Sequence, residues 1–172
     1  MKKMVLISFI QICLLVVILM VTSAMHTEAQ HVVRYNDYLS RQTVETSNFD
    51  KLVHDLQPTV YVVDGELVAK GIGAPLVVST SPENFNLLYA QNEAYSTVEL
   101  LTIRLDKAED TNNSLRLIDL KGFSNLKYLN VLFTYDACND NSDSCCGAIV
   151  KKMFPDYEGS NLKVIYRLSI PQ

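Results

Sequence analysis

The most regular hydrophobic pattern in the chain is a short template that recurs in its second half. The three copies are Val98-x-x-Leu101-x-Ile103, Leu126-x-x-Leu129-x-Val131 and Leu162-x-x-Ile165-x-Arg167. Apolar residues that alternate with other side chains are typical of β-strands. We therefore expect strands near residues 98–105, 126–133 and 162–170. Because helical or irregular segments separate them, they should lie side by side in a parallel arrangement.

This template resembles the leucine-rich repeat, in which Leu-x-x-Leu-x-Leu recurs once per turn of a solenoid. The resemblance covers residues 98–170, and Leu115-x-x-Ile118-x-Leu120 also fits it. It implies strands that stack on their neighbours, since no single repeat buries its own apolar face. The predicted fold class is therefore α/β or α+β, a small single domain with a hairpin and adjacent strands. A short, irregular leucine-rich-repeat-like solenoid is the alternative arrangement.

The clearest local prediction is a β-hairpin between residues 59 and 69. Two β-branched or apolar runs, Thr59 to Val63 and Glu66 to Ala69, flank the pair Asp64-Gly65. Asp-Gly favours a type I′ turn, which needs positive φ at both central positions. The segment is similar to a strand and turn in the plug domain of TonB-dependent receptors. Gly71 and Gly73 then interrupt the returning strand, which Leu76 to Val78 is expected to resume.

Helical periodicity is weaker and appears in three short segments. Apolar residues at positions 49, 52, 53 and 56 predict a helix over 48–57, with Ser47 or Asn48 as its cap. Ser81-Pro82 predicts a second start, with Phe85, Leu88 and Tyr89 buried and Asn84 facing water. Residues 147–154 predict a third short helix. The polar stretch 30–46 lacks a clear period and is interpreted as a leader or a first strand.

The N-terminus has the pattern of a secretory signal. Lys2 and Lys3 precede an apolar run from Val5 to Val21, and small residues make cleavage after Ala24 or Ala29 plausible. The predicted organisation is a signal peptide over 1–29, a polar leader over 30–46 and one globular domain over 47–172. The short basic segment favours a bacterial source and a periplasmic or secreted protein. The alternative is an uncleaved N-terminal membrane anchor, because the run approaches the length of a span.

The charge balance narrows the choice of partners. The chain has 15 Lys+Arg and 19 Asp+Glu, a formal net charge of −4 at pH 7, and no basic cluster beyond Lys151-Lys152. Nucleic-acid binding is therefore not expected, because it requires a basic surface. We expect a protein or another surface ligand as partner. A membrane becomes a partner only if the N-terminal segment is retained.

Export changes the interpretation of the cysteines that follow the signal. Cys138, Cys145 and Cys146 are disulfide candidates, because an oxidising compartment favours pairing. Pairing of Cys138 with either of the other two would close a short loop and leave one thiol over. The expected role is a structural staple. A redox site is not expected, because the sequence lacks the Cys-x-x-Cys spacing that lowers a thiol pKa.

Candidate chemistry elsewhere in the chain is sparse. Asp136, Asp140 and Asp143 are weak calcium candidates, but their order departs from an EF-hand, so a solvated loop is preferred and no metal is predicted. The carboxylates of Asp106, Glu109 and Asp110 are expected to be solvated in a flexible loop. His54, on its helix, is expected to face solvent. No catalytic residues and no cofactors are predicted.

The sequence thus predicts an exported, non-catalytic binding, interaction or structural domain that presents a strand face or rim loops to a partner. Its specific function stays open. The alternative is a small extracytoplasmic enzyme or thiol-active protein that uses the Cys138–Cys146 loop. Enzyme activity is the less favoured reading of the two, because no catalytic constellation is visible.

Overall fold

The computed structural model describes residues 32–138 and 143–169. The expected signal peptide, with Ala24 and Ala29, lies outside this part of the chain, as does Asp140. The strands are β1 Val32–Arg34, β2 Thr59–Val63, β3 Glu66–Lys70, β4 Val77–Thr80, β5 Leu100–Leu105, β6 Tyr128–Phe133 and β7 Lys163–Leu168. The α-helices are α1 Tyr35–Leu39, α2 Val44–His54, α3 Phe85–Leu88 and α4 Asp143–Met153. Short 3-10 turns occur at Pro82–Asn84, Glu93–Tyr95, Ala108–Asn112, Leu117–Asp119 and Tyr157–Gly159.

The seven strands form one mixed sheet in the order β1-β7-β6-β5-β4-β2-β3. All neighbouring pairs are parallel except β2 with β3. From β4 to β7 each strand lies beside the next one in the chain, joined by helical or 3-10 segments. The α/β class and the side-by-side placement of the three repeated strands are therefore confirmed. The arrangement is a single mixed sheet with helices, and a solenoid is not shown.

The register of the repeated strands corrects the third copy of the template. Leu101 pairs with Leu129, as the template requires, but Leu129 pairs with Val164 rather than with Ile165. Successive side chains of a strand point to opposite faces, so a shift of one residue moves the whole copy across the sheet. Ile165 and Arg167 consequently lie on the face opposite to Leu101 and Leu129. This shift brings Arg167 to the cleft described below.

Two hydrophobic clusters pack helices and 3-10 segments against the two faces of the sheet. The larger one includes Leu101, Ile103, Leu129 and Val131, and residues of α3, α4 and the 3-10 segments pack against it. The smaller one joins α1 and α2 to the opposite face. Its members are Val33, Tyr38, Phe49, Leu52, Val77, Leu100, Tyr128 and Ile165. Because the smaller cluster spans only the amino-terminal part of the strands, helices cover just part of that face.

The segment expected to be a polar leader belongs to the folded domain. Residues 32–46 form β1, α1 and the first turn of α2, and β1 pairs in parallel with β7. The helix expected over 48–57 begins earlier because Thr43 and Thr46 form a reciprocal capping box. It ends at His54, and the side chain of Leu56 beyond it is fully exposed. The apolar face at Phe49 and Leu52 is buried, as the periodicity predicts.

The hairpin prediction is confirmed, with Asp64 at φ 53° and Gly65 at φ 80°. β4 does not resume the returning strand: it pairs in parallel with β2 on the side away from β3. Two predictions for the following helix are wrong. Asn84 is buried, because its Oδ1 accepts a hydrogen bond from the backbone N–H of Gly65 at 3.1 Å. Tyr89 is instead partly exposed.

Among the described residues, none of the helices combines the length and the apolar character that crossing a bilayer would require.

The helix expected at 147–154 is present as α4, which begins at Asp143. Val150, Met153 and Phe154 are buried at this end of the domain, while Ile149 is only partly buried.

Candidate functional site

A row of polar side chains crosses the sheet on the face that α1 and α2 only partly cover. Tyr61, Ser79, Thr102 and Asn130 are register partners on β2, β4, β5 and β6. Register partners share one face and lie about 4.8 Å apart from strand to strand. Arg167 on β7 pairs with Leu132, one pleat beyond Asn130, and therefore extends the row diagonally. We call these five residues the polar row.

The polar row forms the floor of a cleft of about 220 Å³. Its wall is the end of α2 and the segment that leads to β2, with Leu52, Asp55 and Leu56 among the lining residues. The wall has an aliphatic part formed by Leu52, Val53 and Leu56, whereas the floor carries hydroxyl, amide and guanidinium groups. Binding sites for small molecules commonly combine an apolar lining with a few convergent polar groups.

Asn130 is the most unusual member of the polar row. Its side chain is 1 % exposed, and its Nδ2 donates a long hydrogen bond of 3.4 Å to Thr102 Oγ1. Its Oδ1 is buried without a hydrogen-bond partner. A buried amide oxygen with no partner costs about 1–3 kcal/mol, so such groups are rare in folded proteins. Asn130 therefore places a buried polar atom without a hydrogen-bond partner, called an unmet group below, at the floor of the cleft.

Arg167 supplies a second unmet group at the same place. Its Nε is buried and has no hydrogen-bond partner. The guanidinium carbon lies 5.4 Å from the centre of the Tyr35 ring, so the aromatic face supports the cation. The combination of a fixed position and an unused N–H donor suits an anionic oxygen, because guanidinium groups bind such oxygens with well-defined geometry.

Tyr35 is held in place by two residues of α2. Its hydroxyl donates to Asp50 Oδ1 at 2.5 Å and lies 2.8 Å from His54 Nε2. Burial, followed by the hydrogen bond to Asp50 and the charge of that carboxylate, raises the pKa of Tyr35 to about 12. The phenol is therefore protonated at neutral pH. Since its one proton goes to Asp50, the His54 Nε2–H donates to the Tyr35 oxygen.

The hydrogen bonds of this cluster fix the position of the Tyr35 ring. Nε2 of His54 carries the proton of a hydrogen bond, so it is not available as a base in this arrangement. The ring of His54 is largely exposed, as the sequence predicts. The Sγ atoms of the cysteines belong to the other face of the sheet, where Cys138 and Cys146 join the larger hydrophobic cluster. A Cys–His pair with His54 is therefore not formed.

A second pocket of about 260 Å³ adjoins the first and shares Arg167 with it. Arg34 and His54 also line this pocket, and none of its described lining residues is a carboxylate. The chain as a whole has a net charge of −4. His54 Nε2 lies 3.6 Å from Asp50 Oδ1, whereas the buried Nε of Arg167 has no hydrogen-bond partner, so Arg167 is the group of this pocket that favours an anion.

A third pocket, of about 250 Å³, is mainly apolar and lies beside the Leu117–Asp119 turn. Its carboxylate, Asp156, is fully engaged: it accepts the backbone N–H groups of Leu117 at 3.0 Å and Ile118 at 2.9 Å. Asp156 thus fixes the turn. Because Asp156 and Ser160 in this pocket are hydrogen-bonded within the protein, whereas the cleft on the sheet has buried polar atoms without a partner, the cleft is the stronger candidate site.

The cysteine segment is compact in the structure. The sulfurs of Cys138 and Cys145 are bonded, with their Cα atoms 5.9 Å apart. The Sγ of Cys146 lies 3.2 Å from that of Cys138 and is buried. The disulfide joins the end of the β6 segment to α4, where the larger cluster packs against the sheet. This position fits a staple between a loop and a helix.

The predicted acidic candidates do not converge. Asp136 accepts the backbone N–H of Cys138 at 3.2 Å, while Asp140 and the side chain of Asp143 fall outside the described part of the chain. No group of three potential metal ligands occurs among the residues that the structure describes. Asp106, Glu109 and Asp110 belong to a different loop, whose carboxylates were expected to be solvated. That expectation is wrong for Asp110, which is buried and accepts hydrogen bonds from the backbone N–H groups of Asp106 and Lys107.

Sequence reasoning missed the polar row, although a signal for it exists. Each of the central strands carries a polar residue between apolar ones, as in Tyr-Leu-Asn-Val-Leu-Phe of β6. Parallel strands with covered faces are normally near-continuous apolar runs. A polar residue inside such a run marks a position where one face is open or functional. The alignment of these positions depends on register, which the sequence pattern misplaced for β7.

Comparison with known proteins finds no matching family model, no matching curated protein and no matching solved structure. The resemblance to leucine-rich repeats therefore stays a prediction from the hydrophobic pattern. Function has to be argued from the cleft itself.

Proposed function

We propose that this protein is an exported, non-catalytic binding domain that binds its ligand in the cleft over the polar row. The observation that carries the proposal is the pair of unmet buried groups, Asn130 Oδ1 and Arg167 Nε, at one cleft. Retaining two such groups costs stability, and sites that bind ligands are where proteins commonly accept that cost. Export rests on the N-terminal pattern of basic and apolar residues.

Binding without catalysis is favoured by the state of the surrounding groups. The phenol of Tyr35 stays protonated because burial and Asp50 raise its pKa, and its partner His54 uses Nε2 as a donor. No nucleophile of the described residues stands beside a base in the cleft. The groups that line the cleft are hydrogen-bonding and apolar ones together with Asp55 and Arg167, and such a set can orient a ligand.

The binding proposal is tested by mapping small fragments on the protein. Uniformly ¹⁵N-labelled protein is titrated with neutral sugars, amines and organic acids, and amide chemical shifts are recorded. We expect at least one class to shift the amides of Ser79, Thr102 and Asn130. Ser79→Phe fills the cleft and should abolish these shifts, with dispersed spectra as the check on folding.

The matched control is Lys151→Phe, which places the same ring on the exposed side of α4. This helix contributes to the cluster on the opposite face of the sheet. Fragment binding should be unchanged in this variant. If every fragment leaves the cleft amides unshifted, the cleft is not a binding site and the proposal is wrong.

A second candidate function, a thiol-active protein, is favoured by one observation. Cys146 Sγ lies 3.2 Å from Cys138 Sγ, close enough for attack on the disulfide after modest movement. Such an exchange would join Cys138 to Cys146 and release Cys145 as a thiolate. The burial of Cys146 counts against reaction with an external substrate, because reactive thiols are accessible.

Intact mass and alkylation of the exported protein separate these two functions. A structural staple predicts one disulfide and one cysteine that iodoacetamide modifies only after unfolding. A mass that begins at Met25 or Gln30 would confirm cleavage after Ala24 or Ala29. Rapid alkylation of the folded protein, or a mixture of disulfide isomers that interconvert, would contradict the staple and favour thiol activity.

A further inference from the structure

We propose that the cleft binds a monosaccharide acid, a six-carbon sugar that carries one carboxylate. The inference rests on the proposed binding function and names the ligand class for the same site. Four features of the cleft carry it: the hydroxyl and amide groups of the polar row, the unmet donor of Arg167, the acidic residues near it and the aliphatic wall.

The centre of the polar row matches a ligand that is rich in hydroxyl groups. Ser79, Thr102 and Asn130 present two hydroxyls and one amide in register on neighbouring strands. The unmet Oδ1 of Asn130 needs a donor from the ligand. A sugar hydroxyl donates one hydrogen bond and accepts others, so adjacent hydroxyls can satisfy Asn130 and its neighbours together.

The carboxylate of the ligand binds to the guanidinium of Arg167. Its Nε has no partner within the protein, and its guanidinium is supported on the Tyr35 ring. Arg34 also lines the second pocket, which Arg167 shares with the cleft. A carboxylate accepts charge-assisted hydrogen bonds from a guanidinium, and these are roughly twice as strong as neutral ones.

A single negative charge fits better than a double one. Asp55 lines the cleft, and Asp50 holds the hydroxyl of Tyr35 on the same side. Both carboxylates repel a phosphate dianion more strongly than a carboxylate, whereas Arg167 attracts either group. A monoanionic ligand therefore has the more favourable balance of charges at this place.

The size and lining of the cleft suit one sugar ring. Arg167 and Asn130 are one strand and one pleat apart, which places their backbones about 8 Å from each other. A single sugar ring with its carboxylate is comparable in length to this separation, so one ligand can contact both residues. The C–H face of such a ring can pack against Leu52, Leu56 and the partly exposed ring of Tyr61. Cavities of 220 and 260 Å³ are smaller than those that hold drug-sized ligands.

The test is isothermal titration calorimetry of the full chain with sodium glucuronate, glucose and inorganic phosphate at one ionic strength. We expect glucuronate to bind at least 10-fold more tightly than either of the others, because only it combines a carboxylate with the hydroxyls of a sugar ring. Arg167→Gln should weaken glucuronate about 10- to 100-fold and leave glucose unchanged. Lys152→Gln on α4 is the matched loss of charge and should change nothing.

Asn130→Leu adds a readout that separates function from structure. Leucine has the same branching at Cγ and no polar group without a partner, so the melting temperature should stay the same or rise. Binding of glucuronate should nevertheless weaken about 2- to 10-fold, since the hydrogen bond from a sugar hydroxyl to Asn130 Oδ1 is lost. A structural role for Asn130 would instead lower the melting temperature.

Three results would overturn this inference. They are tight binding of phosphate, equal losses for glucuronate and glucose in Arg167→Gln, and absence of glucuronate binding. If glucuronate fails while other fragments shift the cleft amides, the ligand class is wrong and the proposed binding function stands. If no fragment reaches the cleft, both proposals fail.

Discussion

Phe49→Ala lowers the free energy of unfolding by about 3–5 kcal/mol, the range observed when a buried phenylalanine is truncated. The ring of Phe49 is fully buried in the smaller cluster, between the helices and the sheet. Its centre lies 5.4 Å from that of Tyr38 on α1 and 5.3 Å from that of Tyr128 on β6. The substitution therefore leaves a cavity at the point where α1, α2 and β6 meet.

Urea denaturation followed by circular dichroism measures this loss. Val44→Ala on the same helix is the control, because Val44 is 81 % exposed and its change should stay within about 0.5 kcal/mol. Two equal losses would contradict the role of Phe49 as the centre of this layer. A loss below about 1 kcal/mol for Phe49→Ala would mean that α1 and α2 are not part of the cooperative unit.

Gly71→Ala costs about 2–4 kcal/mol for two separate reasons. Gly71 has a φ of 96°, a conformation that residues with a Cβ rarely adopt and that strains them by about 1–3 kcal/mol. A Cβ at this position would also stand 2.9 Å from the Cα of Pro58, a backbone atom that cannot move without shifting β2. The end of β3 and the segment that enters β2 would have to separate.

Gly73→Ala is the matched control for this prediction. Its φ of 104° imposes a similar strain, but its nearest neighbour would be Pro58 Cγ at 4.0 Å, an ordinary contact. The difference between the two variants in urea denaturation therefore isolates the clash, which we expect to cost about 1–2 kcal/mol. Equal losses for both variants would show that the Pro58 backbone relaxes freely.

Local signals in the sequence were enough for the elements that neighbours along the chain determine. The Asp64-Gly65 turn follows from the need for positive φ at two successive residues, and the structure has it. The buried face of α2 follows from the helical spacing of Phe49 and Leu52. The start of α2 was misplaced because the capping box at Thr43 lies within a stretch that has no hydrophobic period.

The candidate site was harder to predict because its residues come from five strands and one helix. Ser79, Thr102 and Asn130 are unremarkable in sequence, and only the register of the sheet sets them side by side. In the repeat template, Arg167 occupies the position where the other copies have a third apolar residue. The pairing of Leu129 with Val164 instead turns Arg167 to the open face. A pattern of period two cannot distinguish these faces without knowing which side is covered.

The hydrophobic pattern by itself was enough for the α/β class and for the positions of the hairpin and the three repeated strands. Tertiary structure alone decided the register of the strands, which part of one sheet face stays open and which polar atoms are buried without partners. The physical reason is that hydrophobic spacing reports only whether a side chain is buried. Pairing between strands distant in sequence depends on the packing of all layers at once, and the unmet groups of Asn130 and Arg167 arise from that packing.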